Sequence, residues 1–323
     1  MKIGFIGLGN VGGKLAGSLI RNGHELVVRE LDKSIAQPLL DAGALWSQSP
    51  KALAKSVDMV ITCLPSPKIC AQVMEGDDGV LQGLGKGKIW AEMSTTDYTE
   101  VLRLGDAVLE QGSEPIDCPV SGGCHRAATG NISIFAGCER TTFDRAFVVL
   151  KDMGRRILHT GALGSASVLK VLTNYLATAN LVTLCEALVT AKQAGLDLNT
   201  TYQAIRISSG NSFVHETESQ VILNGSRDIN FTMDLVMKDI SLFQDVADRA
   251  GVPLDISPKL IEVFRDGISR YGPREWSPNI VRRLEEACKT QIHASGFPPQ
   301  IEDFEPEKQG YEVHSQRLDD KSA

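Results

Sequence analysis

Close-spaced cysteines, an excess of basic charge and internal repeats are what this chain lacks. Its seven cysteines, at 63, 70, 118, 124, 138, 185 and 288, are odd in number and form none of the near pairs that zinc sites use. That pattern predicts free thiols in a reducing, cytoplasmic setting and no metal. Lysine and arginine number 33 against 40 acids, and the net charge of -7 leaves no electrostatic footprint for nucleic acid. No basic start followed by an apolar core and a cleavage site is present, so no signal peptide is expected. One stretch tests the expectation of a soluble chain. Residues 171–191 carry a single charge, Glu186, and are long enough to span a bilayer. Asn174, Asn180, Glu186 and four threonines interrupt the run, however, and no aromatic belt flanks it. The reading is a helix buried on nearly all sides, with no membrane partner.

What is present is an ordinary globular composition, 42% hydrophobic and 23% charged, over 323 residues, which predicts two domains. The first half alternates strand and helix signals. "KIGFIG", "ELVVRE", "DMVITCLP", "GKIWAEMS", "EPIDCPVSGG" and "NISIFAG" read as strands, with helical segments such as "GGKLAGSLIRNG" among them. Such alternation implies a parallel, doubly wound α/β sheet covered by helices. Residues 165–194, 197–209, 233–250, 258–271 and 278–293 read as helices, with no convincing strand after about residue 163. The expected organisation is a Rossmann-like domain over 1–162, an all-α domain over 163–294 and a proline- and charge-rich tail over 295–323. The tail lacks periodicity and is expected to be disordered or to lie along a neighbouring surface.

The loop Gly7, Leu8, Gly9, Asn10, Val11, Gly12 spells G-x-G-x-x-G between the first strand and the first helix. Gly7 permits the tight turn, Gly9 lets a pyrophosphate approach the backbone, and Gly12 lets helix and strand pack closely. The helix start then favours an anion. Glu30 ends the second strand, where a carboxylate accepts hydrogen bonds from ribose hydroxyls and repels a 2′-phosphate. Leu31 follows it with no cation, so NAD is expected rather than NADP, although Arg29 stands next door. Three more stretches carry chemistry. "DCPVSGG", 117–123, is either an ordinary turn or a nest in which the Ser121 hydroxyl and the Gly122 and Gly123 N–H groups meet a carboxylate. "LKVLTNY", 169–175, sets Lys170 and Asn174 on one helix face. Lys170 either snorkels to water or is a desolvated amine suited to exchanging protons near neutrality. Lys238 and Asp239 interrupt an apolar helical segment, which by itself suits a solvated pair.

Together these stretches resemble the β-hydroxyacid dehydrogenase family, which includes 3-hydroxyisobutyrate dehydrogenase, tartronate semialdehyde reductase and, more distantly, 6-phosphogluconate dehydrogenase. The likeness runs from Lys2 to about Ile292. "GFIGLGNVG" differs from the family's opening only at Val11, and P-V-S-G-G is intact at 119–123. In "GSASVLKVLTN", Ala166 replaces a glycine and Thr173 an asparagine, while Lys170 and Asn174 are kept; the late K-D pair matches Lys238 and Asp239. The resemblance implies NAD-dependent oxidation of a small β-hydroxy acid to its semialdehyde, or the reverse. It implies Lys170 as general acid/base and Asn174 as its orienting partner. Ser121, Gly122 and Gly123 would hold the substrate carboxylate, and Leu64, Pro65, Ser94 and Thr95 would reach the nicotinamide. Lys238 would close over that end of the site, and a homodimer or homotetramer would form through the helical domains. Asn211 belongs to a loop that nears the substrate in relatives. Arg126 departs from the small residues common there and either meets a second anionic group or points to solvent; His125, its neighbour, receives no role. The rival readings are a 6-phosphogluconate-type or imine-reducing dehydrogenase, or a non-catalytic NAD-binding protein; the retained Lys170 and Ser121 argue against the last two.

Overall fold

The computed structural model describes residues 1–314 and divides into two compact units. Met1–Lys170 forms the first with the described residues 303–314; Val171–Glu302 forms the second.

The strands are β1 (Ile3–Ile6), β2 (Leu26–Arg29), β3 (Leu45–Trp46), β4 (Met59–Thr62), β5 (Ile89–Glu92), β6 (Glu114–Asp117), β7 (Val120–Ser121), β8 (Ile132–Gly137), β9 (Gly154–Gly161) and β10 (Tyr311–Glu312). They make one sheet in the order β10-β9-β8-β6-β5-β4-β1-β2-β3, with β7 paired to β8. The pairs from β3 through β6 are all parallel; β8 runs antiparallel to β6 and β7. Seven helices accompany this unit: α1 (Gly12–Arg21), α2 (Lys33–Asp41), α3 (Pro50–Ser56), α4 (Pro67–Glu75), α5 (Tyr98–Glu110), α6 (Gly123–Ala128) and α7 (Arg140–Leu150). Alternate strand residues supply two separate cores. Ile3, Phe5, Met59, Ile61, Ile89 and Ala91 join one, while Ile6, Val60 and Trp90 join the other. Period-two alternation with both sets apolar is what a sheet covered on both faces requires.

The second unit is helical. Helix α8 (Ser165–Gln193) enters it, followed by α9 (Leu198–Arg206), α10 (Phe213–Asn224), α11 (Met233–Arg249), α12 (Ser257–Tyr271) and α13 (Arg282–Cys288). Its core gathers Leu188, Ile222, Met233, Ile240, Phe264 and Val281.

Several expectations are corrected here. β9 and α10 were absent from the sequence reading. The segment expected as one helix over 278–293 is a 3-10 turn over Ser277–Val281 followed by α13, which stops at Lys289, whose φ of 50° is left-handed. The apolar stretch of α8 is not buried on nearly all sides: 39% of its most apolar window is covered. Leu169, Leu172 and Leu176 remain exposed, three and four residues apart on one face, because the chain's own helices do not cover that side. The compact units divide at Lys170, within α8. The expected single tail separates too. Up to Glu302 it stays with the helical unit, where the Asn224 and Ser226 side chains donate to the carbonyls of Phe297 and Pro299. From Asp303 it returns to the sheet, and β10 pairs in parallel with β9. The remainder of the tail, 315–323, lies outside the described residues.

Candidate functional site

Strand register sets out the first half of the site. Ile6 pairs with both Arg29 and Thr62, Thr62 with Glu92, and Glu92 with Asp117. Four parallel strands therefore end level with β1, and the residues just beyond their C-terminal ends form one row. From β2 to β6 that row reads Glu30, the glycine loop, Leu64 and Pro65, Ser94 and Thr95, and then the turn at Ser121. The order reverses between β1 and β4, and such a switch point opens a crevice at the carboxyl ends of the strands.

The glycine loop meets the steric demands of a dinucleotide cradle. Gly7 has φ of 94°, and a Cβ there would lie 2.2 Å from the Cys63 carbonyl oxygen. A Cβ on Gly12 would lie 2.0 Å from the Gly7 oxygen, so α1 and β1 approach too closely for any side chain. Around Gly9 the case is opposite: a Cβ would meet nothing within 4 Å. Gly9 and Asn10 are exposed, and Leu8 turns into the core. The loop thus presents bare backbone to open space at the start of a ten-residue helix, where an anion is favoured. Val11 occupies the N-cap position. Glu30 is tied to this loop: its Oε2 accepts from the Leu8 N–H at 2.7 Å and its Oε1 from the Leu31 N–H at 2.7 Å. Each oxygen keeps a further lone pair for a ribose hydroxyl. Arg29 donates to the Glu30 carbonyl, and its guanidinium lies 5.0 Å from the Trp46 ring centre; the Lys33 ammonium lies 5.6 Å from the same ring.

Two buried acids, missed by the sequence reading, hold the neighbouring loops. Glu92 is wholly buried; Oε1 accepts from the Ser94 N–H at 2.7 Å, and Oε2 from Thr62 Oγ1 at 2.9 Å and Cys70 Sγ at 2.6 Å. Ser94 passes the order on, accepting from the Leu64 N–H at 2.7 Å through its hydroxyl. Burial raises the Glu92 carboxyl above its ordinary range despite these donors. Asp117, also fully buried, accepts from the Gly164 N–H at 2.8 Å, the Ser167 N–H at 2.7 Å and Ser167 Oγ at 2.8 Å. Burial lifts its carboxyl too, and the donors oppose the lift. Asp117 thereby anchors the start of α8, the helix that carries Lys170. The available signal was an acid as the last residue of each strand, in "IWAE" and "EPID".

Beyond Asp117 the chain turns sharply. Gly122 and Gly123 have φ of 129° and 87°, conformations that L side chains rarely adopt. Ser121 is half-buried on the short strand β7, opposite Ser133 of β8.

In the helical unit, the predicted residues Asn174, Lys238 and Asp239 come together. Asn174 Nδ2 donates to Asp239 Oδ2 at 2.6 Å. Lys238 Nζ stands 2.9 Å from Asp239 Oδ1, an ion contact whose angles fall outside hydrogen-bond geometry. Asp239 is 2% exposed, so Lys238–Asp239 is not the solvated pair its spacing suggested. A carboxylate can only accept, so the Asn174 amide must give it the NH₂ end and direct its carbonyl oxygen elsewhere. Lys170 lies one turn earlier on α8 and is 7% exposed, a buried amine rather than a snorkelling one. Asn211 is exposed and donates to Glu216 Oε1 at 2.8 Å across its own turn.

Two family models together span most of the chain. The NAD-binding domain of 6-phosphogluconate dehydrogenase matches residues 2–161, and the NAD-binding domain of NADP-dependent 3-hydroxyisobutyrate dehydrogenase matches 164–284. A 2-(hydroxymethyl)glutarate dehydrogenase of Eubacterium barkeri is 30% identical over 92% of this chain and 98% of its own length. The mitochondrial 3-hydroxyisobutyrate dehydrogenase of Rattus norvegicus is 30% identical over 88% of this chain and 87% of its own. Among solved structures, a Mycobacterium tuberculosis 3-hydroxyisobutyrate dehydrogenase with L-serine superposes with a TM-score of 0.79 at 24% identity, covering 88% of this chain and 98% of that one, a likeness of fold.

Proposed function

The chain belongs to the β-hydroxyacid dehydrogenase family of NAD(P)-dependent oxidoreductases acting on CH–OH groups, and from that premise we propose that it oxidises a small β-hydroxy acid to its semialdehyde, or reduces the semialdehyde, with Lys170 moving the proton. The observation that carries this reading is the buried amine of Lys170 on the helix anchored by Asp117, one turn from an Asn174 whose amide is fixed by Asp239.

Gly7 to Gly12, Glu30, Leu64, Pro65, Ser94 and Thr95 would hold the dinucleotide, with Lys238 at its nicotinamide end; when bound, that group takes up or returns the hydride. Everything else falls to side chains of this chain. Ser121 with the Gly122 and Gly123 N–H groups holds the substrate carboxylate, which fixes where the β-carbon sits. As the β-carbon loses hydride, its hydroxyl proton passes to the neutral Lys170 Nζ and the C–O bond becomes a carbonyl. In reduction the Lys170 ammonium returns that proton to the carbonyl oxygen. Asn174, its amide set by Asp239, orients the amine or the hydroxyl.

Glu30 supports NAD as the cofactor. Its carboxylate stands at the ribose end of the row, the neighbouring Arg29 is drawn onto Trp46, and Leu31 offers no cation for a 2′-phosphate. The exposed Leu169, Leu172 and Leu176 support assembly into a homodimer or homotetramer. A cytoplasmic setting agrees with the free thiols. The test is NADH formation over a panel of β-hydroxy acids, with NADP in parallel. Lys170→Ala is expected to lower kcat by roughly 10²–10⁴-fold while NADH binding, followed by fluorescence, persists. Undiminished turnover in that variant would overturn the lysine's role.

A further inference from the structure

Arg126 has not yet been used, and its surroundings are unusual. It lies on α6, directly after the Gly122–Gly123 turn. A Cβ built on Gly122 would stand 3.3 Å from Arg126 Cδ, so the arginine stem folds back across the turn assigned to the substrate carboxylate. Cδ is the last carbon before the guanidinium, which therefore begins where the stem crosses Gly122. His125 folds back in the same way, its Cε1 2.9 Å from where a Cβ on Gly123 would be. Burial, and then the charge of Arg126, lower the His125 pKa below its usual value, so the imidazole is neutral near pH 7 and the fixed positive charge here belongs to Arg126.

Asp303, in the segment that returns to the first unit, faces the same place. Its Oδ2 accepts from Thr129 Oγ1 and from Asn131 Nδ2 at 2.8 Å, and its Oδ1 accepts from the Glu305 N–H at 3.2 Å. Burial works against its ionisation, but these donors and the charge of Arg126 outweigh burial and hold its carboxyl below the usual range. Asp303 is thus a negative charge held in place by Thr129, Asn131 and the Glu305 N–H. A guanidinium beside a carboxylate-binding turn is suited to a second anion, since its planar fork matches carboxylate, sulfonate and phosphate oxygens alike.

Resting on the dehydrogenase reading above, we propose that Arg126 binds a second anionic group of the substrate, so that the preferred substrates are β-hydroxy acids bearing a further carboxylate, sulfonate or phosphate. The first carboxylate goes to Ser121, Gly122 and Gly123, and the second anion to the arginine fork beside them.

The experiment measures kcat/KM for NADH formation by the full chain on monoanionic β-hydroxy acids and on matched acids carrying a second carboxylate, a sulfonate or a phosphate. The three dianionic arms distinguish the source of the second charge. The wild type should favour at least one dianion by about 10-fold or more, and Arg126→Gln should cut that ratio by roughly 10- to 100-fold, mostly through KM. Arg126→Lys keeps the charge without the fork and should recover part of the ratio. In the wild type, the dianion's KM should also rise more steeply with ionic strength than the monoanion's, a readout that needs no variant. An unchanged ratio in Arg126→Gln, equal salt dependence, or a wild-type preference for monoanions would each overturn the inference and leave the dehydrogenase reading standing. Failure of every acid to be turned over with either cofactor would overturn both.

Discussion

The two units treat buried acids differently. In the sheet unit, Glu92 and Asp117 lie fully buried at the ends of β5 and β6, and each carboxylate gathers three donors. In the helical unit, Glu218 on α10 keeps some exposed side-chain surface, yet its Oε2 is covered and, among the described residues, has no hydrogen-bond partner. Burial alone pushes that carboxyl up to about 8. The contrast teaches that a buried acid builds a site when backbone and side-chain donors together reach both oxygens. Without them it is a stability liability that titrates.

The largest effect should come from breaking the well-supplied case. Asp117→Ala orphans two N–H groups and one hydroxyl at the start of α8. It should cost roughly 3 kcal/mol in chemical denaturation and lower kcat, because Lys170 loses its anchor. Full activity in that variant would uncouple the acid from the site. Next come two glycines of one loop. Gly12→Ala drives a methyl group to within 2.0 Å of a carbonyl oxygen and should lose about 2–3 kcal/mol of stability. Gly9→Ala enters open space and should leave the melting temperature nearly unchanged while raising the KM for NAD by about 10-fold or more. If both variants failed in the same way, steric packing and cofactor contact would not be separable in this loop.

The orphaned acid sharpens the comparison with the opposite sign. Glu218 has a folded-state pKa above its unfolded one, so the fold holds its proton more tightly. Its stabilising contribution is complete below the ordinary carboxylate range and is lost as pH rises through about 8. Glu218→Gln, permanently neutral, should match the wild type near pH 4 and exceed it by on the order of 2 kcal/mol near pH 9. A difference independent of pH would show the carboxylate to be solvated. The smallest effect belongs to the exposed clasp between Arg140 and Glu312, with contacts at 2.6 and 2.9 Å, which fastens the returning segment beside β9. Glu312→Gln should cost about 0.5 kcal/mol or less, and high salt should erase the difference.

How much was legible follows from the range of each interaction. The glycine loop, the lysine helix and the parallel sheet could be read because their signals repeat within a few residues. Helix α10 could not, since "FVHETESQVILN" buries His215 and Ser219 among its apolar positions and so blurs the period. Those two satisfy each other at 2.8 Å, and His215 reaches the Tyr202 carbonyl at 2.9 Å, contacts that spacing does not announce. Strand β9 was hidden by Arg155 and Arg156, which stay half-buried. The residues that follow the level strand ends could be named one by one, but their levelling could not, because strand register sets it.

By itself, the sequence determined the fold class, the glycine loop between β1 and α1 with its following acid Glu30, and the order of the motifs that mark the family. Only the tertiary structure decided that Asp117 anchors a helix 50 residues away, that Asp239 sets the amide of Asn174 across 65 residues, and that Asp303 returns to Thr129 and Asn131. The reason is physical. Local spacing encodes which groups share a turn or a strand face, whereas a buried carboxylate takes its donors from whatever backbone the folded chain brings within hydrogen-bond reach.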